Sequence, residues 1–462
     1  MRVGRLLLLL AVPAAVGFAP PPDPAERPPD AAARAGERVG AADPRAPPTI
    51  DAVIKGKAFV DGMGRPLRLR GPNVVVKGPP WLPSTNGSTR CVDTPRETCT
   101  TFNEHDARHL VSRGWNLIRL GVTWAGAQPR SEAALDPAWL ARLHAILDLC
   151  HAHSIHVILD IHQDAVGTAV CGEGVPMWFS QASPVAHMIG APLVPLSGGD
   201  SSCNASMWRL HAGEPDYNLR NPCCLMYSSS SPAWHQLGFT MQAQLTLHHL
   251  FAGAGRAAYA RYVGLLAAAV VDRPAAIGIE LFNEPMTIER EAMFATWRAC
   301  YDAAREVHGS IGVGVVDAGQ AALRLFDFGL STATRNWLRE ASGLFYAFHF
   351  YTLPRRAEDA VRNAVEIGAL WGMPVVLTEF MACDAYRHAE AANVSWTYWH
   401  YSQYCNTAPS PQCDAARAAG RPCNFGACIC GWGMGRSNWS CDASGGPGAT
   451  RLVGDAAARR HQ

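Results

Sequence analysis

The sequence predicts an α/β chain folded as a (β/α)8 TIM barrel, and three observations carry that prediction. Short apolar runs recur eight times between Leu67 and Tyr401. Most are separated by segments with helical apolar spacing, which is the pattern of a parallel sheet buried on both faces. Several of the runs stop on a histidine, an asparagine or a carboxylate, and a closed parallel barrel gathers such strand ends into one bowl.

The elements follow in chain order. Arg2 and Arg5 precede an apolar stretch from Leu6 to Phe18, with small residues at Gly17 and Ala19. Residues 1–19 therefore read as a secretory signal, because the stretch falls short of the roughly 20 residues that span a bilayer. Residues 20–49, rich in Pro, Ala and Arg without periodicity, read as a disordered linker. The barrel is expected over 50–402, with strands at Leu67–Val75, Asn116–Val122, His156–His162, Ala276–Phe282, Ile311–Val316, Leu344–Tyr351, Pro374–Phe380 and Trp396–Tyr401. Helices are expected behind the cap residue Asn103 and over Asp136–His153, Arg256–Asp272, Glu289–Val307 and Ala357–Trp371. A long Cys-, Ser- and Gly-rich insert follows the third strand. A Cys/Gly-rich tail over 403–462 shows no strand alternation.

Forty basic residues against thirty-nine acidic ones leave a formal charge of +1, with no Lys/Arg run to follow a phosphate backbone. Nucleic acid is not an expected partner. Fifteen cysteines in a secreted chain predict disulfides, concentrated in the insert (Cys171, Cys203, Cys223, Cys224) and in the tail. Cys150 and Cys300 fall in apolar helical patterns and read as buried thiols. The tail motif CNFGACIC reads as disulfide-forming rather than zinc-binding, and His151, His153 and His156 read as a helix end and loop rather than a metal cluster. Sequons at Asn86, Asn204, Asn393 and Asn438 agree with a secreted or lumenal location.

In a barrel of this kind the polar residues at the C-terminal strand ends form the site. They are Arg119 on the second strand, His162 after the third, Asn283 and Glu284 after the fourth, His349 and Tyr351 on the sixth, Glu379 after the seventh and Trp399 on the eighth. Glu280 shares a pleat face with Glu284 but lies deeper, so it reads as a hydrogen-bonded core carboxylate.

The runs LIRLGVTW, LDIHQD, LFNEP, FHFY, LTEF and YWHY, in that order and on those strands, resemble glycoside hydrolase family 5. GPNVVVKGPPW, HQD and GEGVPMW narrow the resemblance to endoglycoceramidases and related glycosphingolipid hydrolases. The resemblance implies two catalytic glutamates on strands four and seven, no metal or cofactor, and a glycosphingolipid substrate met in transient contact with a membrane surface. It also implies that Lys77, Asp164 and Trp178 hold the sugars beyond the cleavage point.

A retaining glycosidase needs one carboxyl to protonate the leaving oxygen and another to attack the anomeric carbon. Glu284 is the natural acid/base, and Glu379 the natural nucleophile, kept ionised by donors such as Arg119 and Tyr351. Asn283 can bond the sugar 2-hydroxyl, Trp399 offers an apolar floor, and His162 and His349 can orient carboxylates and hydroxyls. Met177, Trp178, Phe179, Met188, Ile189, Leu193, Val194, Leu196 and Met207 of the insert are either a ceramide groove or a packed loop core. Alternatives are a β-1,4-glucanase or mannanase of the same family and a catalytically inactive carbohydrate-binding barrel. The chain departs from the family at Met381, where relatives carry Gly, and in lacking an evident β-sandwich after the barrel.

Overall fold

The computed structural model describes residues 52–87, 101–194, 203–229, 237–316, 326, 329–351, 356–380 and 383–404. The signal segment, the linker, Met381 and the cysteine-rich tail lie outside these residues.

A short antiparallel hairpin, β1 (Val53–Lys55) and β2 (Ala58–Val60), precedes eight strands. These are β3 (Arg70–Val76), β4 (Leu117–Val122), β5 (His156–Ile161), β6 (Ala276–Glu280), β7 (Gly312–Val316), β8 (Leu344–Phe350), β9 (Val375–Phe380) and β10 (Ser395–Tyr404). All eight pair in parallel, and β10 returns to β3, so the barrel is closed. Closure leaves no strand edge unpaired, which suits runs with no polar face to offer solvent.

Pleat alternation sorts the barrel lumen into layers. At the N-terminal end, Leu117, Ile158, Phe345, Ala347 and Val376 pack with Phe59 and Ala52, so the β1–β2 hairpin closes the barrel floor. Two residues further along the same strands stand Arg119 and Asp160. Gly314 makes room for the floor, since a Cβ there would lie 2.5 Å from the Phe345 ring.

The predicted helices form, two of them with side-chain caps. Asn103 accepts from the backbone N–H groups of His105 and Asp106 while Asp106 accepts from that of Asn103, a reciprocal box that starts Glu104–Ser112. Asp136 caps Pro137–Ala152, with proline at the first helical position. The structure adds Thr332–Glu340 between β7 and β8 and Cys383–Ala391 between β9 and β10, which complete the strand–helix alternation. No helix among the described residues is long and apolar enough to cross a membrane.

The insert between β5 and β6 is a set of short helices, including Met177–Gln181, Ala205–Trp208, Tyr217–Arg220 and Met241–Phe251. Cys171–Cys224 and Cys203–Cys223 staple it, while Cys150 and Cys300 are buried free thiols. Met177, Phe179 and Leu193 are buried in the main core, with Trp178, Ile189 and Met207 packed against it. Of the two readings of this apolar cluster, packed loop core is therefore the right one for these residues. Val194 differs, standing 45% exposed.

Candidate active site

Arg119 organises the bowl from its buried middle layer. Its guanidinium donates to Glu280 through Nε at 2.8 Å and Nη2 at 2.7 Å, to Asn73 Oδ1 at 2.8 Å, to Asn283 Oδ1 at 2.9 Å and to Glu379 Oε1 at 2.6 Å. Asp160 stands 2.9 Å from the same group. One planar cation thus ties together carboxylates from three strands, Glu379, Glu280 and Asp160, which suits the fork geometry of arginine. Burial works against ionising Glu280, but Arg119 and His349 outweigh it and bring the carboxyl down to about 2. Glu280 is the paired core carboxylate its depth predicts.

Glu379 is 4% exposed. Besides the Arg119 bond, its Oε2 accepts from the Tyr351 hydroxyl at 2.6 Å. Burial alone would raise its pKa, yet His349, Arg119 and His162 and the Tyr351 bond hold it below the ordinary carboxylate value. A carboxylate kept ionised and aimed by two donors has the character of a nucleophile.

Glu284 sits differently. Its side chain is 30% exposed, and His349 Nδ1 lies 2.8 Å from its Oε1. Its backbone adopts φ +40°, a left-handed conformation unusual for a residue with a side chain. Gln163 holds that turn: its Nε2 donates to the carbonyls of Asn283 and Glu284, while its Oε1 accepts from Val166 N at 2.7 Å. Asn283 answers with a 3.0 Å bond to the Gln163 carbonyl, so its amide is fixed before any ligand arrives.

His349 faces Glu284, Glu379 at 3.7 Å and Glu280 at 3.9 Å. Burial disfavours its charge, but these carboxylates raise its pKa to about 10. Ligand atoms of Glu284, His349 and Glu379 all lie within 4.8 Å of one another. A cation there would consume both reacting carboxylates. His153 lies 2.7 Å from Glu104, and His156 is a buried strand residue whose pKa burial lowers to about 4.

A second cluster flanks the first. His162 Nδ1 is 2.6 Å from Asp160, its ring stacks on Trp399 at 5.6 Å, and its Nε2 lies 3.5 Å from Asp164. Lys77 pairs with Asp164, stands 5.0 Å from the Trp399 ring centroid and lies 3.6 Å from Glu173. Trp178 packs edge-on against Trp124, with its indole N–H committed to the Gln128 carbonyl at 2.7 Å, so it has only ring surface to offer a ligand.

Asn73, Asp160, Gln163 and Glu173 were missed as site residues. Asn73 spans β3, β9 and β10 through bonds from its amide to the carbonyls of Thr378, Thr397 and Tyr398. A polar residue inside the apolar run GPNVVV, and Asp160 inside HVILDIH, were the available signals.

The profile of the Cellulase family, glycosyl hydrolase family 5, matches residues 84–191. Endoglycoceramidase I of Rhodococcus hoagii is 31% identical over 231 residues, half of this chain and 36% of its own length. An endoglycoceramidase of Hydra vulgaris is 28% identical over 231 residues, 49% of this chain and 39% of its own. The chain thus spans well under half of the curated relatives it matches. Among solved structures, the lactosyl-enzyme intermediate of endo-glycoceramidase II from Rhodococcus sp. superposes with TM-score 0.53 at 18% identity, covering 77% of this chain and 76% of that one. A crystal structure of endogalactoceramidase gives 0.53 at 19% identity, covering 80% and 77%. In fold over the barrel and in sequence over about half of the chain, the likeness is to glycosyl hydrolase family 5 and, within it, to proteins named endoglycoceramidase.

Proposed function

We propose that the chain is a retaining β-glycosidase that hydrolyses the bond between glycan and ceramide in glycosphingolipids, working in a secretory-pathway lumen or outside the cell. One observation carries the chemistry: oxygens of Glu284 and Glu379 lie within 4.8 Å of each other. Retaining enzymes place their carboxyls about 5–5.5 Å apart, whereas inverting enzymes leave about 6.5–9.5 Å for a water. Glu379 attacks the anomeric carbon while Glu284 delivers its proton to the departing ceramide oxygen. Water then enters, Glu284 takes back a proton, and the covalent bond to Glu379 breaks with the β configuration restored. Two carboxyls suffice, so no cofactor or metal enters the mechanism.

The lipid reading draws on the named relatives and on an exposed apolar patch beside the acid/base loop. Val194, Phe239, Met241 and Ile288 are 45%, 50%, 40% and 93% exposed. Gln244 joins the two segments of that patch, donating to the carbonyls of Gly238 and Met286 at 2.8 and 3.0 Å. Apolar surface beyond the acid is what a ceramide or a bilayer surface would meet.

The test is incubation with lactosylceramide or glucosylceramide in detergent, read by mass spectrometry for free ceramide and by proton NMR for the first-formed anomer. Ceramide release with the β product, abolished in Glu379→Gln, is the expected result. Cleavage of cello-oligosaccharides without ceramide release would overturn the lipid assignment, and an α product would overturn the mechanism.

A further inference from the structure

Glu173 has no part in the two-carboxyl chemistry, yet it is 1% exposed and sits against the Lys77–Asp164 pair. Its placement follows from the sequence CGEGV. The backbones of Asp164 and Glu173 exchange two hydrogen bonds of 2.9 Å as an antiparallel bridge, so their side chains stand on one face. Gly172 and Gly174 permit that approach: a Cβ at Gly172 would lie 2.1 Å from the Asp164 carbonyl oxygen, and one at Gly174 would lie 2.3 Å from the Gln163 Cβ. The loop beneath is held in unfavourable conformations, with φ +52° at Ala165, +71° at Val166 and +68° at Cys171. Backbone strain persists where surrounding contacts over-determine it. Here the contacts present two carboxyls to one ammonium.

We propose that Glu173 is a positioning residue that controls how Lys77 is shared between Asp164 and the sugar beyond the cleaved bond. The inference rests on the glycosidase reading above and on Lys77 gripping that sugar. The charged groups facing Glu173 are Lys77 at 3.6 Å, Asp164 across the bridge and His162 behind Asp164. Glu173 Oε1 has no hydrogen-bond partner, so the lysine is the cation within reach when that oxygen becomes charged. Burial raises the pKa of Glu173 to about 8, Lys77 lowering it and the Asp164 anion raising it further. Below that value a neutral Glu173 hydrogen-bonds to Asp164, and the lysine keeps one anionic partner with its remaining N–H groups turned to ligand. Above it, Glu173 releases its proton to solvent, becomes a second anion beside Lys77 and repels Asp164, which draws the ammonium from the sugar. His162, raised to about 9 by Asp160 against the effect of burial, titrates later.

The experiment compares KM for an aryl β-lactoside, which fills the extra sugar position, with KM for the matching aryl β-glucoside, which does not, between pH 6 and 8.5. In the wild type the lactoside-to-glucoside KM ratio is expected to rise roughly five- to tenfold, since a one-unit change in interaction is a factor of ten. In Glu173→Gln, which cannot ionise, the ratio is expected to stay flat. A wild-type ratio that does not move with pH overturns the inference without any variant, and so does the same rise in Glu173→Gln. If the wild type hydrolyses neither substrate at any pH, the glycosidase reading falls and takes the inference with it. Hydrolysis of both with an unmoved ratio removes the inference alone.

Discussion

Replacing Arg119 by lysine keeps the charge and removes the fork, and the contacts fix what that should cost. Five hydrogen bonds of 2.6–2.9 Å leave the guanidinium for four residues. A lysine has three N–H donors and cannot point them at partners on β3, β6 and β9 together. At least two buried acceptors lose their partner, at about 1–3 kcal/mol each, so the barrel should lose about 2–6 kcal/mol. That is a large part of a typical stability of about 5–15 kcal/mol. For a barrel of this size it corresponds to a drop in Tm of about 3–8 °C. The catalytic effect has its own sign. Glu379 is held below its ordinary pKa partly by Arg119, so weakening that contact raises it. Because the attacking group must be ionised, the acid limb of kcat/KM should move to higher pH. Differential scanning calorimetry and a pH–rate profile on an aryl β-glycoside read both effects. An Arg119→Lys protein with wild-type Tm and an unmoved acid limb would refute the assignment of Arg119 as the shared anchor.

Three further outcomes are expected. Glu284→Ala should lose far more activity on glycolipids, whose leaving group needs a proton, than on activated aryl glycosides; equal losses would mean that Glu284 is not the acid. Mild reduction of Cys171–Cys224, which closes a loop over a sequence separation of 53 residues, should remove about 4 kcal/mol of constraint on the unfolded insert and open it to protease before the barrel melts. Unchanged protease resistance and activity under reductant would refute that role. Finally, the pKa values of His349 and His162 are raised to about 10 and about 9, above the unfolded value of 6.5. Their contribution to stability is fully present below pH 6.5 and is lost as pH rises through 9 and 10, so thermal melts should show an alkaline decline that His349→Asn reduces.

How much of this was legible in the sequence depended on whether a residue declares itself by period or by fold. All eight strands were, because a strand buried on both faces is an apolar run whatever surrounds it. Helices Thr332–Glu340 and Cys383–Ala391 were not, since each is short and rich in polar residues. Glu284 and Glu379 could be singled out because each closes an apolar run that the strand pattern brings to the mouth of a barrel. Glu173 could not, because its neighbours in sequence give it no partner. Its meaning appears only when the bridge to Asp164 places two acids beside Lys77. Asn73 failed the same way: its three carbonyl partners lie on strands more than 300 residues away. The apolar residues of the insert, left open as ceramide groove or loop core, show a different limit. Apolar residues without a clear period serve equally well as groove or core, and burial places Met177, Phe179 and Leu193 in the core while Val194 stays exposed.

The two glutamates are the same side chain given different surroundings by depth and backbone. Glu379 belongs to a strand, where pairing with His349 of β8, just past a shift of register, sets its height and leaves it in reach of Arg119 and Tyr351. Its environment is complete without substrate. Glu284 lies just past the end of β6, where pairing stops, and its left-handed φ turns the carboxyl back over the bowl toward His349. Such a conformation costs on the order of 1–3 kcal/mol for a residue with a Cβ, and the Gln163 bonds to both carbonyls of the turn offset that cost. Had Glu284 continued the strand, pleat alternation would have put it on the Glu280 face, further along the same strand and with no turn to bring it back to His349. The departure from strand geometry is therefore what sets Glu284 apart from the core carboxylate Glu280. It also leaves Glu284 the more exposed of the pair, which suits the proton exchange with water that the proposed mechanism asks of it.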